Sequence, residues 1–121
     1  MTERRIAFSP VEITMDVVGG KWKPLIIYFL LQNNIMRFNE IQRAIPAATR
    51  RMITKHLREL EGHGIVHREV YAEVPPRVEY SLTELGHSLM PVLDVMVQWG
   101  LMYIKQDPEL ELRTPADLQK K

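Results

Sequence analysis

Between Arg37 and Leu82 the hydrophobic pattern breaks once and then changes period, and few folds accept that order. Phe38, Ile41 and Ala44 recur at helical spacing until Pro46 stops them. Thr49, a residue type that caps helix starts well, opens a second helix running to Glu61 before Gly62 and Gly64. From residue 65 the period becomes two. Val66, Val70, Ala72 and Val74 alternate with polar or amphipathic residues, and after Pro75-Pro76 so do Val78, Tyr80 and Leu82. Two short helices across a tight break, followed at once by a proline-tipped hairpin, predict a winged helix-turn-helix.

The flanks complete a single domain, which is what 121 residues suit. Residues 1–10 read as a mobile N-terminal arm. Val11 to Val18 reads as a short amphipathic helix stopped by Gly19 and Gly20. Lys23-Pro24 opens the next helix, whose apolar body Leu25 to Leu31 ends at Gln32-Asn33-Asn34. Thr83 caps a long helix to about Lys105, with a kink expected at Pro91. The expected fold class is mainly α with a small β-hairpin. The domain is 11–105, with a recognition helix at 49–61, a wing at 65–82 and a dimerisation helix at 83–105. Residues 106–121 form a C-terminal tail, either a short appended helix or loose.

Composition removes whole classes of chemistry. The chain has no cysteine, which excludes disulfides, thiolate zinc sites and thiol nucleophiles. No apolar run approaches the ~18 residues a membrane helix needs. MTERRIAFSP is not a secretory signal, so the expected compartment is the cytoplasm and no membrane partner is expected. There is no Walker loop, GxGxxG, HExxH or GxSxG motif. His63 and His67 are four apart but separated by Gly64 and the helix-to-strand change, a poor metal site. His56 and His87 read as surface residues. The expectation is no enzyme, no metal and no cofactor.

Net charge is +1, yet its distribution is uneven. Arg37, Arg43, Arg50, Arg51, Lys55 and Arg58 face a single acid, Glu40, between residues 37 and 58. On a wheel with Arg50 at zero, Thr54, Arg58, Arg51 and Lys55 fall at about 40° to 140°. Met52, Ile53, Leu57 and Leu60 fall at about 200° to 340°. The apolar half holds the helix to a core, and the other half presents guanidinium, ammonium and hydroxyl groups. The major groove of duplex DNA admits one α-helix, and arginine bonds guanine O6 and N7 together. Thr49 and Thr54 add short hydroxyls, and the helix start offers free amides to phosphate. Arg50, Arg51, Thr54 and Lys55 are therefore candidates for base edges. Arg58 and Arg37 are candidates for backbone phosphate. Arg77 at the hairpin tip either enters a minor groove, touches phosphate or is a plain exposed turn arginine. The alternative to DNA is a winged-helix protein-protein interaction module whose charged helix meets an acidic partner.

The last helix carries apolar residues around roughly 260° of its circumference, where one core needs a stripe of ~100° or somewhat more. The surplus predicts a second subunit, packed on Leu89, Val92, Leu93, Met96, Val97, Trp99 and Tyr103. A twofold dimer presents two recognition helices to a pseudo-palindromic operator, with half-sites ~34 Å apart. An unidentified small-molecule effector could bind between the dimer helices and the winged domain.

The strings GGKWKPLIIYFLL, RFNEIQRAIP, MITKHLRELEGHGIV, EVPPRVEYSLTELGHSLMPVL and the final WG resemble the HxlR-type winged helix-turn-helix transcription regulators. The match covers about residues 11–100. The resemblance implies a homodimeric bacterial DNA-binding regulator, related in architecture to MarR-type proteins. It implies that the helix beginning at Thr49 reads DNA, that residues 66–82 form the wing, and that the first and last helices build the dimer. Val11 and Val17 of the first helix join the expected interface on that basis. Many members carry a cysteine just before the Pro-hydrophobic pair of the first helix, and some sense oxidants with it. Here that position is Ser9, so a cysteine-based sensor is not expected. Ala47-Ala48 stands where the family usually has glycine before the recognition helix.

Overall fold

A computed structural model describes residues 4–112. In chain order these form α1 (Pro10–Val18), α2 (Lys23–Asn33), β1 (Ile35–Met36), α3 (Phe38–Ala44), α4 (Arg50–Gly62), β2 (Val66–Tyr71), β3 (Arg77–Leu82), α5 (Glu84–His87) and α6 (Met90–Gln106). The architecture is mainly helical with a small antiparallel sheet, a winged helix-turn-helix.

Local chemistry sets most of the boundaries. Ser9 Oγ accepts from the Glu12 amide at 3.3 Å and starts α1, with Pro10 in the first turn. Pro10 thus belongs to the helix and not to the N-terminal segment. Asn34, at φ 64°, turns the chain out of the helical conformation and ends α2. Pro46 follows α3. The turn into α4 is fastened by the Gln42 side chain, whose Nε2 donates to the Ala48 carbonyl at 2.7 Å. No residue of that turn has a positive φ, so Ala47-Ala48 serve without glycine.

The core is built around α2, which is apolar on all sides and packs against β1, β3, α3, α4 and α6. Ile26, Ile27 and Leu30 of α2 are fully buried together with Ile41 of α3 and Ile53 and Leu60 of α4. Trp22 and Val18 close the core at one end.

The sheet has three strands in the order β1-β3-β2, where the sequence predicted two. Val66 to Tyr71 pair with Leu82 to Arg77, and Ile35 and Met36 pair with Ser81 and Tyr80. Two residues are too few for a period to show, which is why β1 escapes the pattern.

The long C-terminal helix is also corrected. It is two helices, broken at Ser88-Leu89, and Pro91 does not kink it but sits in the first turn of α6. Thr83 caps α5 as expected: its hydroxyl accepts from the Gly86 amide at 3.0 Å and donates to the Gly64 carbonyl at 2.5 Å. A β-carbon at Gly86 would fall on the Ile65 carbonyl oxygen and press on Leu82, so the junction of α4, the wing and α5 requires glycine. Residues 107–112 continue without helix or strand, and the remainder of the tail lies outside the described residues. No described helix is long and apolar enough to cross a membrane.

Candidate nucleic-acid interface

Helix α4 separates its faces as its sequence requires. Ile53, Leu57 and Leu60 are buried, while Arg50, Arg51, Lys55 and Arg58 are exposed. Two details differ from the wheel. Met52 is 40% exposed and lies at the rim of the apolar face. The charged side is not purely cationic, because Glu61 pairs with Arg68 of β2 at 3.6 Å.

The helix start is open to solvent. Thr49 Oγ1 accepts from the Met52 amide at 3.1 Å, which fixes the hydroxyl at the N-terminus beside free backbone amides. Thr54 is less available than predicted: it is half-buried, and its hydroxyl proton is committed to the Arg50 carbonyl at 2.9 Å. The Arg50 guanidinium stacks over the Phe38 ring of α3 at 4.4 Å from the centroid. That contact ties the first cation of α4 to the preceding helix. Arg37 is exposed at the start of α3, where its backbone amide donates to Glu40 Oε1 at 2.8 Å. It shares a shallow depression with Asn39, Glu40 and Arg43.

A second set of charges anchors α4 from behind. Lys23 is 8% exposed, and its Nζ lies 3.4 Å from Glu59 Oε1. His56 Nδ1 lies 3.3 Å from the same oxygen, so His56 is a half-buried partner and not the plain surface residue expected. The hydrogen bond to His56, and then the Lys23 charge, hold the Glu59 carboxyl below the ordinary glutamate range against the opposing effect of burial.

Arg77 occupies a different setting from the one its sequence position suggested. It is the first residue of β3 and half-buried, with its guanidinium over the Tyr71 ring at 4.1 Å. Its Nε stands 3.7 Å from Glu73 and 3.6 Å from Glu79, ion-pair but not hydrogen-bond distances. Glu79 also pushes the Tyr71 phenol up from its usual range. Two wing residues that the sequence reading passed over, Arg68 and Tyr80, pair across the strands and face the end of α4. A basic residue at an even-numbered wing position, in step with Tyr80, was the available signal.

The residues expected at a dimer surface divide. Leu93 is corrected: it is 4% exposed and belongs to the subunit's own core, because α6 must pin itself to α2 somewhere. Val17 and Leu89 pack partly on that core, and Val97 lines a groove between α6 and α2. Val11, Val92, Met96, Trp99 and Tyr103 are exposed, the last two as stacked rings 5.2 Å apart. Ile13 and Met15 of α1 and Met90, Val95 and Met102 of α6 enlarge the apolar surface. Among the described residues no group of His, Asp or Glu could hold a metal ion.

The uncharacterised HTH-type transcriptional regulator YdeP of Bacillus subtilis (strain 168) is 49% identical over 108 residues, covering 89% of this chain and 84% of that protein. The solved structure of the HTH-type transcriptional regulator ytcD superposes with a TM-score of 0.76 at 45% identity, over 81% of this chain and 99% of the other. The redox regulator HypR in its oxidised form superposes with a TM-score of 0.74 at 54% identity, over 78% and 96%. A family model described as HxlR-like helix-turn-helix matches residues 17–108, and the chain belongs to that family of transcriptional regulators.

Proposed function

We propose that the protein is a sequence-specific regulator of transcription that binds double-stranded DNA as a homodimer, with α4 in the major groove. The observation that carries this is the partition of α4. Its apolar side is closed by Ile53, Leu57 and Leu60, and Arg50, Arg51, Lys55 and Arg58 are left to solvent. Arg50, Arg51 and Lys55 are assigned to base edges near the helix start, and Thr54 accepts through its oxygen but has no proton to offer. Thr49, Arg37 and Arg58 are assigned to backbone phosphate. Arg77 contributes least, since Glu73 and Glu79 oppose its charge. The exposed apolar residues of α1 and α6 supply the surface by which two subunits join. The role is gene control and not catalysis, and it does not use a thiol, since the sequence contains no cysteine. HypR is named a redox regulator; the present chain needs another signal or none.

In vitro selection of bound duplexes from a random pool tests this reading. The expected product is a pseudo-palindrome with half-sites about 34 Å apart. If about six phosphates are neutralised per dimer, log K falls against log salt with a slope near −5. Recovery of no motif would favour a protein-interaction module and sink the assignment.

A further inference from the structure

Where the C-terminal half of α4 meets the wing, Thr54, Leu57, Arg58, Glu61, Arg68 and Tyr80 enclose a cleft of about 200 Å³. Strand register builds one wall. Arg68 on β2 stands directly opposite Tyr80 on β3, so both side chains leave the same face of the wing, toward α4. Helix periodicity builds the other, since Thr54, Arg58 and Glu61 are spaced four and three apart and share one side of α4. The polar groups in the cleft are unevenly satisfied. Arg58 has no ion-pair partner within 4 Å among the described residues. The Tyr80 hydroxyl has no hydrogen bond to any described residue, although burial pushes its pKa up and Arg68, Glu61 and Arg58 all act on it. Among the described residues Arg68 is held only by Glu61, at 3.6 Å from its Nε, too long for a direct hydrogen bond. Two guanidiniums and one carboxylate leave one positive charge in a concave site.

We propose that this cleft binds an oxyanion, a phosphoryl group gripped between the Arg58 and Arg68 guanidiniums with the Tyr80 hydroxyl donating to it, while Glu61 holds Arg68 in place and opposes entry. Planar guanidinium forks suit phosphate oxygens better than any other side chain. A water takes about 30 Å³ of liquid, so a cleft of about 200 Å³ has ample room for a phosphoryl group. The favoured source is the DNA backbone, because Arg58, in one wall of the cleft, is already assigned to backbone phosphate; in that respect the inference rests on the DNA-binding reading. A free phosphate is the other source of the same chemistry. Arg68, Tyr80 and Glu61 thereby become ligand-binding residues, and Glu61 a brake on affinity.

The test uses the full chain and three variants, Arg68→Gln, Tyr80→Phe and Glu61→Gln. Each is titrated with a duplex obtained by selection and with an unrelated duplex across a salt series. Arg68→Gln is expected to weaken both duplexes about tenfold and to make the salt slope shallower by about one. Tyr80→Phe is expected to weaken both about threefold with the slope unchanged, as loss of one neutral donor should. Glu61→Gln is expected to tighten both several-fold; a gain cannot come from misfolding. If the wild type binds the selected duplex but Arg68→Gln and Glu61→Gln leave affinity and slope unaltered, a phosphoryl group of DNA does not occupy the cleft. Inorganic phosphate, followed through the Tyr80 ring resonances, then decides. A shift that vanishes in Arg68→Gln assigns the cleft to a free phosphate, and no shift overturns it. Failure of the wild type to bind any duplex overturns the gene-control reading instead, and the same phosphate titration still judges the cleft.

Discussion

Helices α4 and α6 solve the same problem in opposite ways. Each lays an apolar stripe on the core, α4 through Ile53, Leu57 and Leu60 and α6 through Leu93. Their outward faces then diverge. That of α4 is charged and stable in water, so it waits for a polar partner without being driven to one. That of α6 presents Val92, Val95, Met96, Trp99, Met102 and Tyr103, which water does not favour. A charged face can stay uncovered between encounters, whereas an apolar face of this extent is disfavoured in water until something covers it. On the proposed reading, DNA takes the first of these helices and a second subunit the other.

The contrast can be broken at five places. Ile53→Ala empties a fully buried site on α4 and is expected to cost about 2–5 kcal/mol in urea unfolding, at any protein concentration. Trp99→Ala on α6 leaves the subunit core untouched. It should weaken self-association by about 2 kcal/mol, roughly thirtyfold in the dimer constant, read by sedimentation on dilution. An association constant unchanged by that variant would remove α6 from the interface. Arg51→Ala should relax base preference at one step of the selected site by about 1–3 kcal/mol, while Arg58→Ala should weaken every duplex alike. The smallest effect belongs to Glu59. Its carboxyl is held below 4.5 by His56 and Lys23, so its contribution is complete at neutral pH and is lost as pH falls through the lowered value. Glu59→Gln should flatten the acid end of the stability profile and leave the neutral region slightly lower, measured by thermal melts from neutral pH down into the acid range.

The order of elements was legible in residues whose effects are local. Thr49, Thr83, Pro24 and Pro46 mark helix ends through their own backbone chemistry, and each stands at or beside the boundary it predicted. The wing followed from alternation, which is long enough there to count. What stayed hidden depends on partners distant in sequence. β1 exists because Ile35 and Met36 meet Ser81 and Tyr80, and nothing in a two-residue stretch says so. Leu93 is indistinguishable from Val92 and Met96 on a wheel until α2 is placed beside it. The charged face of α4 was readable from spacing, but the pairing of Glu59 with Lys23 joins elements far apart in the chain, and that of Arg68 with Glu61 crosses from a helix to a strand. Pro91 was misread for a related reason: proline within an apolar run signals a bend equally well as a fresh start, and only the break at Ser88-Leu89 separates them.

The stacking of Arg50 on Phe38 has a kinetic corollary. A long, freely rotating side chain ordinarily surrenders its rotamer entropy at the moment of docking. Here much of that ordering is completed when the subunit folds, because an aromatic plate on the neighbouring helix already holds the guanidinium. In the proposed complex an incoming duplex would meet a cation already parked, and exchanging the plate for leucine would return the search over orientations to the encounter itself.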